Sequence, residues 1–187
     1  MSWSLFKANM FSYMNNQPGV GSYEDWSAKI TSEYDQAIKR GKQTSNLGPI
    51  AVGKNAAMES ACISVCRSYI SKQENLHFFV DEIGKASIKY WQGATLQLIV
   101  PPIPAIGAIV NVSSTAAYVT NPGQWIPTGP DNQTTNTMDF LNKLVGGFQS
   151  HLPSIQGNYD TISNYPGFPQ VPPAPGVRPW KGWLVPG

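Results

Sequence analysis

The chain has 187 residues, and only 13% of them are charged, about half of the roughly 25% that is usual in soluble domains. Hydrophobic residues nevertheless make up 41% and the formal net charge is +2, so the composition argues against intrinsic disorder. A coiled coil is excluded as well, because such chains draw about half of their residues from Ala, Glu, Lys, Leu and Arg. No apolar run approaches the ~18 residues of a membrane span. Residues 1–7 lack the basic and apolar regions of a signal peptide, so neither a span nor a signal peptide is expected.

Charge and proline are distributed unevenly along the chain. Residues 1–90 contain 18 charged side chains and two prolines, whereas residues 91–187 contain six charged side chains and 14 prolines. The first half therefore has the composition of an ordinary globular domain, and the charge deficit belongs to the second half.

Apolar residues in the first half recur at the three- and four-residue spacing of helices that bury one face. Two sets of residues carry the pattern most clearly: Trp3, Phe6 and Met10, then Trp26, Ile30, Tyr34 and Ile38. The spacing predicts helices over 2–15, 22–40, 54–73 and 77–92. Ser22 followed by Asp25 is typical of a helix start, and Gly41 after two basic residues is typical of a helix end.

The third predicted helix has a face of small and medium-sized residues. These residues are Ala57, Ala61, Cys62, Ile63, Val65, Cys66 and Tyr69. Because small side chains let a neighbouring helix approach closely, the pattern predicts that this is the central helix of a bundle.

Proline dominates the second half and favours extended backbone. The run from Leu96 to Gly107 contains Pro101, Pro102 and Pro104, so it cannot be a helix and is not expected to form a central strand. Residues 109–119 could form a short edge strand or hairpin. One further helix is predicted over 136–152, with an apolar face made of Met138, Leu141, Leu144, Val145, Phe148 and Leu152.

These segments predict a mainly α protein. We expect a helical domain over 1–92, an extended region with possible edge strands over 93–135, a helix over 136–152 and a Pro/Trp-rich C-terminal arm over 153–187. Seven prolines fall between Pro166 and Pro186, interleaved with aromatic residues. A disordered tail would explain the prolines but is usually poor in Trp and Tyr. An arm that lies along a partner, or along its own domain, accounts for both.

The residues that could carry chemistry are few. Cys62 and Cys66 lie one helical turn apart, where a disulfide is disfavoured and further metal ligands are scarce, so buried free thiols in a reducing cytosol are expected. His77 and His151 are expected near helix ends rather than in a catalytic triad. We therefore predict a protein that is not an enzyme and has no catalytic, cofactor-binding or metal site.

Other binding classes have weak support. The carboxylate pairs Glu24–Asp25 and Asp81–Glu82 sit early in predicted helices, where the helix dipole favours acidic residues. The basic cluster over 39–42 is too narrow for a nucleic-acid surface. Neither nucleic acid nor membrane is an expected partner.

Several segments resemble one known family. They are residues 1–7 (MSWSLFK), 33–41 (EYDQAIKRG), 84–94 (GKASIKYWQGA), 104–107 (PAIG) and 119–123 (VTNPG). The chain is similar, over about residues 1–125, to small virion structural proteins of contractile-tailed bacteriophages of the myovirus, marine or cyanophage-like type, encoded among tail and baseplate genes. The resemblance implies a non-enzymatic building block that is made in the host bacterial cytoplasm and incorporated into the tail or baseplate.

Composition agrees with this class, because obligate interfaces are depleted in charge and enriched in aromatic residues. The prediction is a subunit, in a multi-copy ring, that clamps other virion proteins through aromatic anchors. The expected interface residues are Trp91, Trp125, Tyr159, Tyr165, Phe168, Trp180 and Trp183. Two alternatives stay open: a neck or capsid-decorating protein, and, from another class, a cell-wall-binding or cell-wall-degrading tail protein.

Overall fold

The computed structural model of the protein describes residues 2–16, 21–43, 49–72, 76–92, 94–100, 103–104, 108–109, 111–112, 137–160 and 177–187. They contain five α-helices: α1 (Ser2–Asn16), α2 (Tyr23–Lys39), α3 (Asn55–Lys72), α4 (Leu76–Trp91) and α5 (Thr137–His151), followed by a 3₁₀ turn over Leu152–Ser154. The predicted mainly α class is confirmed, and each helix lies close to its predicted range.

The five helices pack in a closed ring in which every helix contacts two others. The contacting pairs are α1 with α2, α2 with α3, α3 with α4, α4 with α5, and α5 with α1. One hydrophobic core fills the ring, and α5 contributes as fully to it as the first four helices. Its largest fully buried side chains include Trp3, Trp91, Trp183, Tyr34, Tyr90, Phe6 and Phe148. The core therefore continues past residue 92 and includes residues from the end of the chain.

Helix α2 shows how the sequence specifies a helix locally. The Ser22 hydroxyl accepts a hydrogen bond from the backbone N–H of Asp25 at 3.1 Å, so the predicted N-cap is confirmed. Eight residues of α2 are buried, including the acidic residues Glu33 and Asp35. Each carboxylate is paired four residues away along the helix, Glu33 with Lys29 and Asp35 with Lys39, both at 2.6 Å.

Helix α3 is not the central helix that its small residues predicted. It buries only Met58, Cys62 and Cys66, while Ala57 on the predicted face is exposed. Small side chains permit close helix packing but add little buried apolar area, whereas α2, with larger side chains, buries eight residues.

The described residues outside the helices form nine short strands: β1 (Lys42–Gln43), β2 (Pro49–Val52), β3 (Thr95–Val100), β4 (Ile103–Pro104), β5 (Ala108–Ile109), β6 (Asn111–Val112), β7 (Gln156–Asp160), β8 (Val177–Lys181) and β9 (Trp183–Leu184). All described pairs are antiparallel, in three separate sheets. Strand β3 pairs with β2 along one edge and with β4 and β5 along the other, so it is a central strand, contrary to the prediction. Proline has no backbone N–H to donate and is therefore excluded from central strands, but β3 ends at Val100, before the first proline of the run.

Strands β7 and β8 form a hairpin in the second sheet, with β6 on the free edge of β7. Pairing runs from Gln156 opposite Lys181 to Asp160 opposite Val177. In the third sheet, β9 pairs with β1, which directly follows α2. The predicted C-terminal arm is thus, at both of its described ends, part of sheets that belong to its own chain.

The described helices include none that is both long and apolar enough to cross a bilayer.

Two glycine-to-alanine substitutions should change stability in opposite directions. At Gly146 in α5, an added methyl group meets no atom within 4 Å, so alanine should stabilise the protein by about 1 kcal/mol through helix propensity. At Gly53, the same methyl group would overlap the ring of Tyr90, and we expect a loss of about 1–3 kcal/mol. Urea unfolding of both variants measures the two changes in unfolding free energy. Changes of the same sign and size would contradict the packing described around Gly146 and Gly53.

Candidate assembly site

Trp183 lies inside the helical core, although it is separated from the first two helices by most of the chain. Its side chain is 1% exposed, and the indole Nε1–H donates a hydrogen bond to the backbone oxygen of Ile38 at 3.0 Å. Its ring lies 5.6 Å from the ring of Trp91. The contact joins the end of the chain to the C-terminal end of α2.

Trp91 is equally internal and holds α4 against α2. Its indole N–H donates to the hydroxyl oxygen of Tyr34 at 2.9 Å, and neither ring has measurable exposure. Tyr34 in turn packs edge-on against Phe148 of α5. Each polar atom at the edge of these rings has a partner, so the aromatic area is buried without leaving a donor unsatisfied.

An ion pair between the buried Asp35 and the exposed Lys39 lies beside this aromatic cluster. The Tyr90 hydroxyl donates to Oδ1 of Asp35 at 2.9 Å, while Lys39 contacts the other carboxylate oxygen at 2.6 Å. Burial, and then the negative charge of Asp35, raise the pKa of Tyr90 far above its usual range. Burial likewise raises the pKa of Tyr34. Both phenols are therefore neutral, and their hydrogen bonds join helices: Tyr90 of α4 donates to Asp35 of α2, and Tyr34 of α2 accepts from Trp91 of α4.

The last residues, 182–187, form what we call the C-terminal strap. Beyond Trp183, Val185 is buried in the core, and the backbone oxygen of Pro186 accepts hydrogen bonds from the N–H groups of Ser2 and Trp3, each at 3.1 Å. These are donors that the first turn of a helix cannot satisfy internally. The strap thus connects the N-terminal end of α1 with the C-terminal end of α2.

Gly41 makes room for the strap. The sequence suggested a helix-terminating glycine, but Gly41 does not have a positive φ. The N–H groups of Arg40 and Gly41 donate to the backbone oxygens of Ala37 and Ile38 at the C-terminal end of α2. A methyl group at this position would lie 2.5 Å from Nε1 of Trp183 and 2.7 Å from the backbone oxygen of Leu184. Glycine is required here because another backbone approaches so closely.

Two of the predicted interface anchors are consequently buried within their own chain when the strap docks on it. Trp91 and Trp183 have almost no exposed surface, since intramolecular burial of their large rings stabilises this fold itself. Tyr159 lies on β7 and Trp180 on β8. The remaining predicted anchors, Trp125, Tyr165 and Phe168, lie outside the described residues.

The β7–β8 hairpin places Asp160 and Val177 opposite each other. Their backbone pair is the last of the hairpin, so the two residues that flank segment 161–176 in the sequence are neighbours in the structure. The hairpin is fixed to the core at its other end, where the N–H of Gly182 donates to the backbone oxygen of Ile155 at 2.7 Å. The segment is uncharged and contains five prolines together with Tyr165 and Phe168.

A second candidate contact surface is the outward face of α1. Leu5 and Phe11 are each 38% exposed, and the other exposed side chains of this helix are uncharged as well. A face of this kind suits contact with another protein better than contact with water.

The residues considered for chemistry occupy structural positions. Burial, and then the neighbouring Cys66, raise the pKa of the Cys62 thiol to about 12, and burial also raises the pKa of Cys66. Both thiols are free and buried. His151 is buried at the end of α5, and His77 lies in the first turn of α4. Among the described residues, no three His, Cys, Asp or Glu side chains are grouped as a metal site would require.

The carboxylate pairs are engaged with basic residues. Glu24 contacts Arg67 at 3.3 Å, and Asp81 contacts Lys85 at 2.9 Å. A shallow groove between α1 and α2 is lined by Asn9, Ser12, Tyr13, Asn16 and Lys29, of which Asn9 and Lys29 both bond to Glu33. The Asn9–Glu33 and Glu24–Arg67 contacts join different helices, whereas Asp81–Lys85 and Lys29–Glu33 are pairs within one helix.

Comparison with protein families, with curated proteins and with solved structures finds no match for this chain.

Removing the Trp183 ring should strongly destabilise the protein. We expect Trp183→Ala to cost about 3–5 kcal/mol of unfolding free energy, because a large buried ring is lost and the Ile38 oxygen loses a donor. Leu184→Ala, next to it but 54% exposed, is the matched control and should change stability by less than about 0.5 kcal/mol. Urea unfolding distinguishes them, and similar midpoints would contradict the docked strap.

Stability should fall in alkaline solution because of the two buried tyrosines. Their folded-state pKa values lie above the unfolded value, so the stabilisation is complete below about pH 10 and is lost as pH rises further. Tyr90→Phe and Tyr34→Phe should each weaken this pH dependence. Spectrophotometric titration checks that these two phenols are the cause, because in the folded protein both should ionise only when the protein unfolds. Ionisation of both phenols near pH 10 in the folded protein would refute this explanation.

Proposed function

We propose that this protein is a non-enzymatic structural subunit of a bacteriophage particle and that it belongs to the tail or baseplate. Its localisation would be the virion, after synthesis in the host cytoplasm, and its partners would be other tail or baseplate subunits. The resemblance of residues 1–125 to phage virion proteins is the reason for naming this class. The geometry adds a way in which such a subunit would contact its neighbours.

The observation that supports this mode of contact most directly is the pairing of Asp160 with Val177. It holds Asp160 and Val177, the residues that flank segment 161–176, on a hairpin that is anchored to the helical core. Prolines reduce the conformational entropy that a segment loses on binding, and the aromatic residues offer large apolar area. A charge-free, aromatic segment held at both ends has the composition of an obligate interface.

This contact differs from the arm expected from the sequence. An arm that clamps a neighbour with its last residues would leave Trp183 free, whereas Trp183 occupies the core of its own chain. The proposed contact with other virion proteins therefore lies at segment 161–176, with Tyr165 and Phe168 as anchors.

Replacing residues 161–176 by the dipeptide Asn-Gly tests the proposal. Because Asp160 and Val177 are paired, a two-residue turn should close the hairpin and leave the strap in place. The variant should keep its unfolding midpoint, yet its incorporation into phage particles should fall roughly tenfold or more, as expected when central aromatic anchors are removed. Quantitative mass spectrometry of purified particles measures the incorporation.

Point variants provide the controls for this experiment. Tyr165→Ala combined with Phe168→Ala should reproduce the loss, whereas Gln170→Ala in the same segment should be incorporated normally. Normal incorporation of the Asn-Gly variant would exclude this segment as the contact. Absence of the unaltered protein from particles would exclude the virion function altogether.

Copy number separates the positions within a particle. Multiples of six per particle would favour the tail or baseplate, and hundreds of copies would favour the capsid-decoration alternative. Activity on cell walls in a zymogram would instead favour the tail-enzyme alternative.

A further inference from the structure

We infer that two copies of this chain can exchange their C-terminal straps, so that residues 183–187 of one copy dock on the helices of the other. The partner surface is the strap socket, formed by Ser2, Trp3, Ile38, Gly41 and Trp91. This inference goes beyond the proposed function and does not depend on it. It concerns the purified protein alone.

The hinge for such an exchange is a single residue. Gly182 separates β8 from β9, two strands that belong to different sheets, and it has a φ of 79°. This left-handed conformation lets the chain turn sharply from the hairpin into the socket. Short hinge segments are the usual sites of domain swapping, and a turn with a positive φ becomes strained when its glycine is replaced.

The strap and socket form a self-contained recognition unit. Its contacts run between residues 183–186 and the first two helices: Trp183 donates to Ile38, and Pro186 accepts from Ser2 and Trp3. Strand β9 adds a backbone pairing with β1, and Val185 fills the core. Every one of these contacts forms equally well when the strap comes from a second identical chain, so exchange costs no strap contact.

A substitution at the hinge should shift the equilibrium between the closed monomer, whose strap docks on its own helices, and the dimer with exchanged straps. Glycine tolerates a positive φ, whereas a β-branched residue does not, and an extended hinge in the exchanged dimer has no such restriction. Gly182→Val therefore disfavours only the closed form. The expected penalty is about tenfold for each hinge, and a dimer relieves two hinges, so its dissociation constant should fall about a hundredfold.

The first experiment compares the unaltered protein with Gly182→Val and Gly146→Ala. Each is refolded from denaturant over a range of concentrations, and its mass is measured by size-exclusion chromatography with light scattering. Gly182→Val should form dimers at concentrations about a hundredfold lower than the unaltered protein. Gly146→Ala, a glycine substitution in an α-helix, should not shift the equilibrium. A monomeric Gly182→Val, or an equal shift in both variants, would overturn the inference.

The second experiment identifies the strap as the exchanged element and does not require the hinge variant to fold. Gly41→Val blocks the socket but leaves the strap intact, and Trp183→Ala impairs the strap but leaves the socket intact. Only a mixed dimer of the two variants contains a native strap in a native socket. After co-refolding of chains with different mass tags, native mass spectrometry should show mixed dimers in excess of the half expected from random pairing.

The matched control replaces Trp183→Ala by Leu184→Ala, whose exposed side chain is outside the socket. Its own strap and socket are both intact, so the preference for mixed dimers should disappear. Random pairing of the Gly41→Val and Trp183→Ala chains, or recovery of monomers alone, would overturn strap exchange.

Discussion

The hydrogen bond from the Trp183 indole to the Ile38 oxygen is the interaction on which the other contacts of the C-terminal strap depend. The last carbonyl groups of a helix have no partner within the helix, and a buried indole N–H needs an acceptor. Trp183 satisfies both needs at 3.0 Å, while the Gly41 N–H donates to the same oxygen from within the chain turn. This bond fixes the direction of the strap across the helical ring, and therefore also positions Pro186 over α1.

The strap acts as a cap for two helices at once. Helix α1 has no acidic residue in its first turn, so its N-terminal N–H groups depend on the Pro186 oxygen. At the other end of the strap, α2 presents its C-terminal carbonyl to Trp183. The Pro186 oxygen lies at the positive, N-terminal end of α1, and the Trp183 N–H lies at the negative, C-terminal end of α2. Both contacts are therefore favoured by the helix dipoles. The ends of α1 and α2 are thereby completed by residues that local sequence around those helices does not contain.

This dependence explains which parts of the structure could be predicted from the sequence. Helices follow from patterns within about a dozen residues, so their ranges, the Ser22 cap and the buried faces of α1 and α2 were predictable. The position of Trp183 was not, because its partner is 145 residues away and an aromatic residue has the same pattern at an interface and in a core. Gly41 shows the same limit: its sequence context indicated a helix end, but its packing requirement comes from the distant strap. The strand pairings of β2 with β3 are equally non-local.

The candidate contact segment and the exchangeable strap are mechanically separate, since the hinge at Gly182 lies between them. Strand β8 keeps its pairing with β7 whether the strap docks on its own chain or on a second one, so Asp160 and Val177, which flank segment 161–176 in the sequence, stay paired. Closing a long-range contact costs more chain entropy than forming local helices, which makes the strap the element with the least local support. Exchange would therefore link two subunits without altering the surface that each presents to other partners, and a change at the hinge would alter the linkage alone.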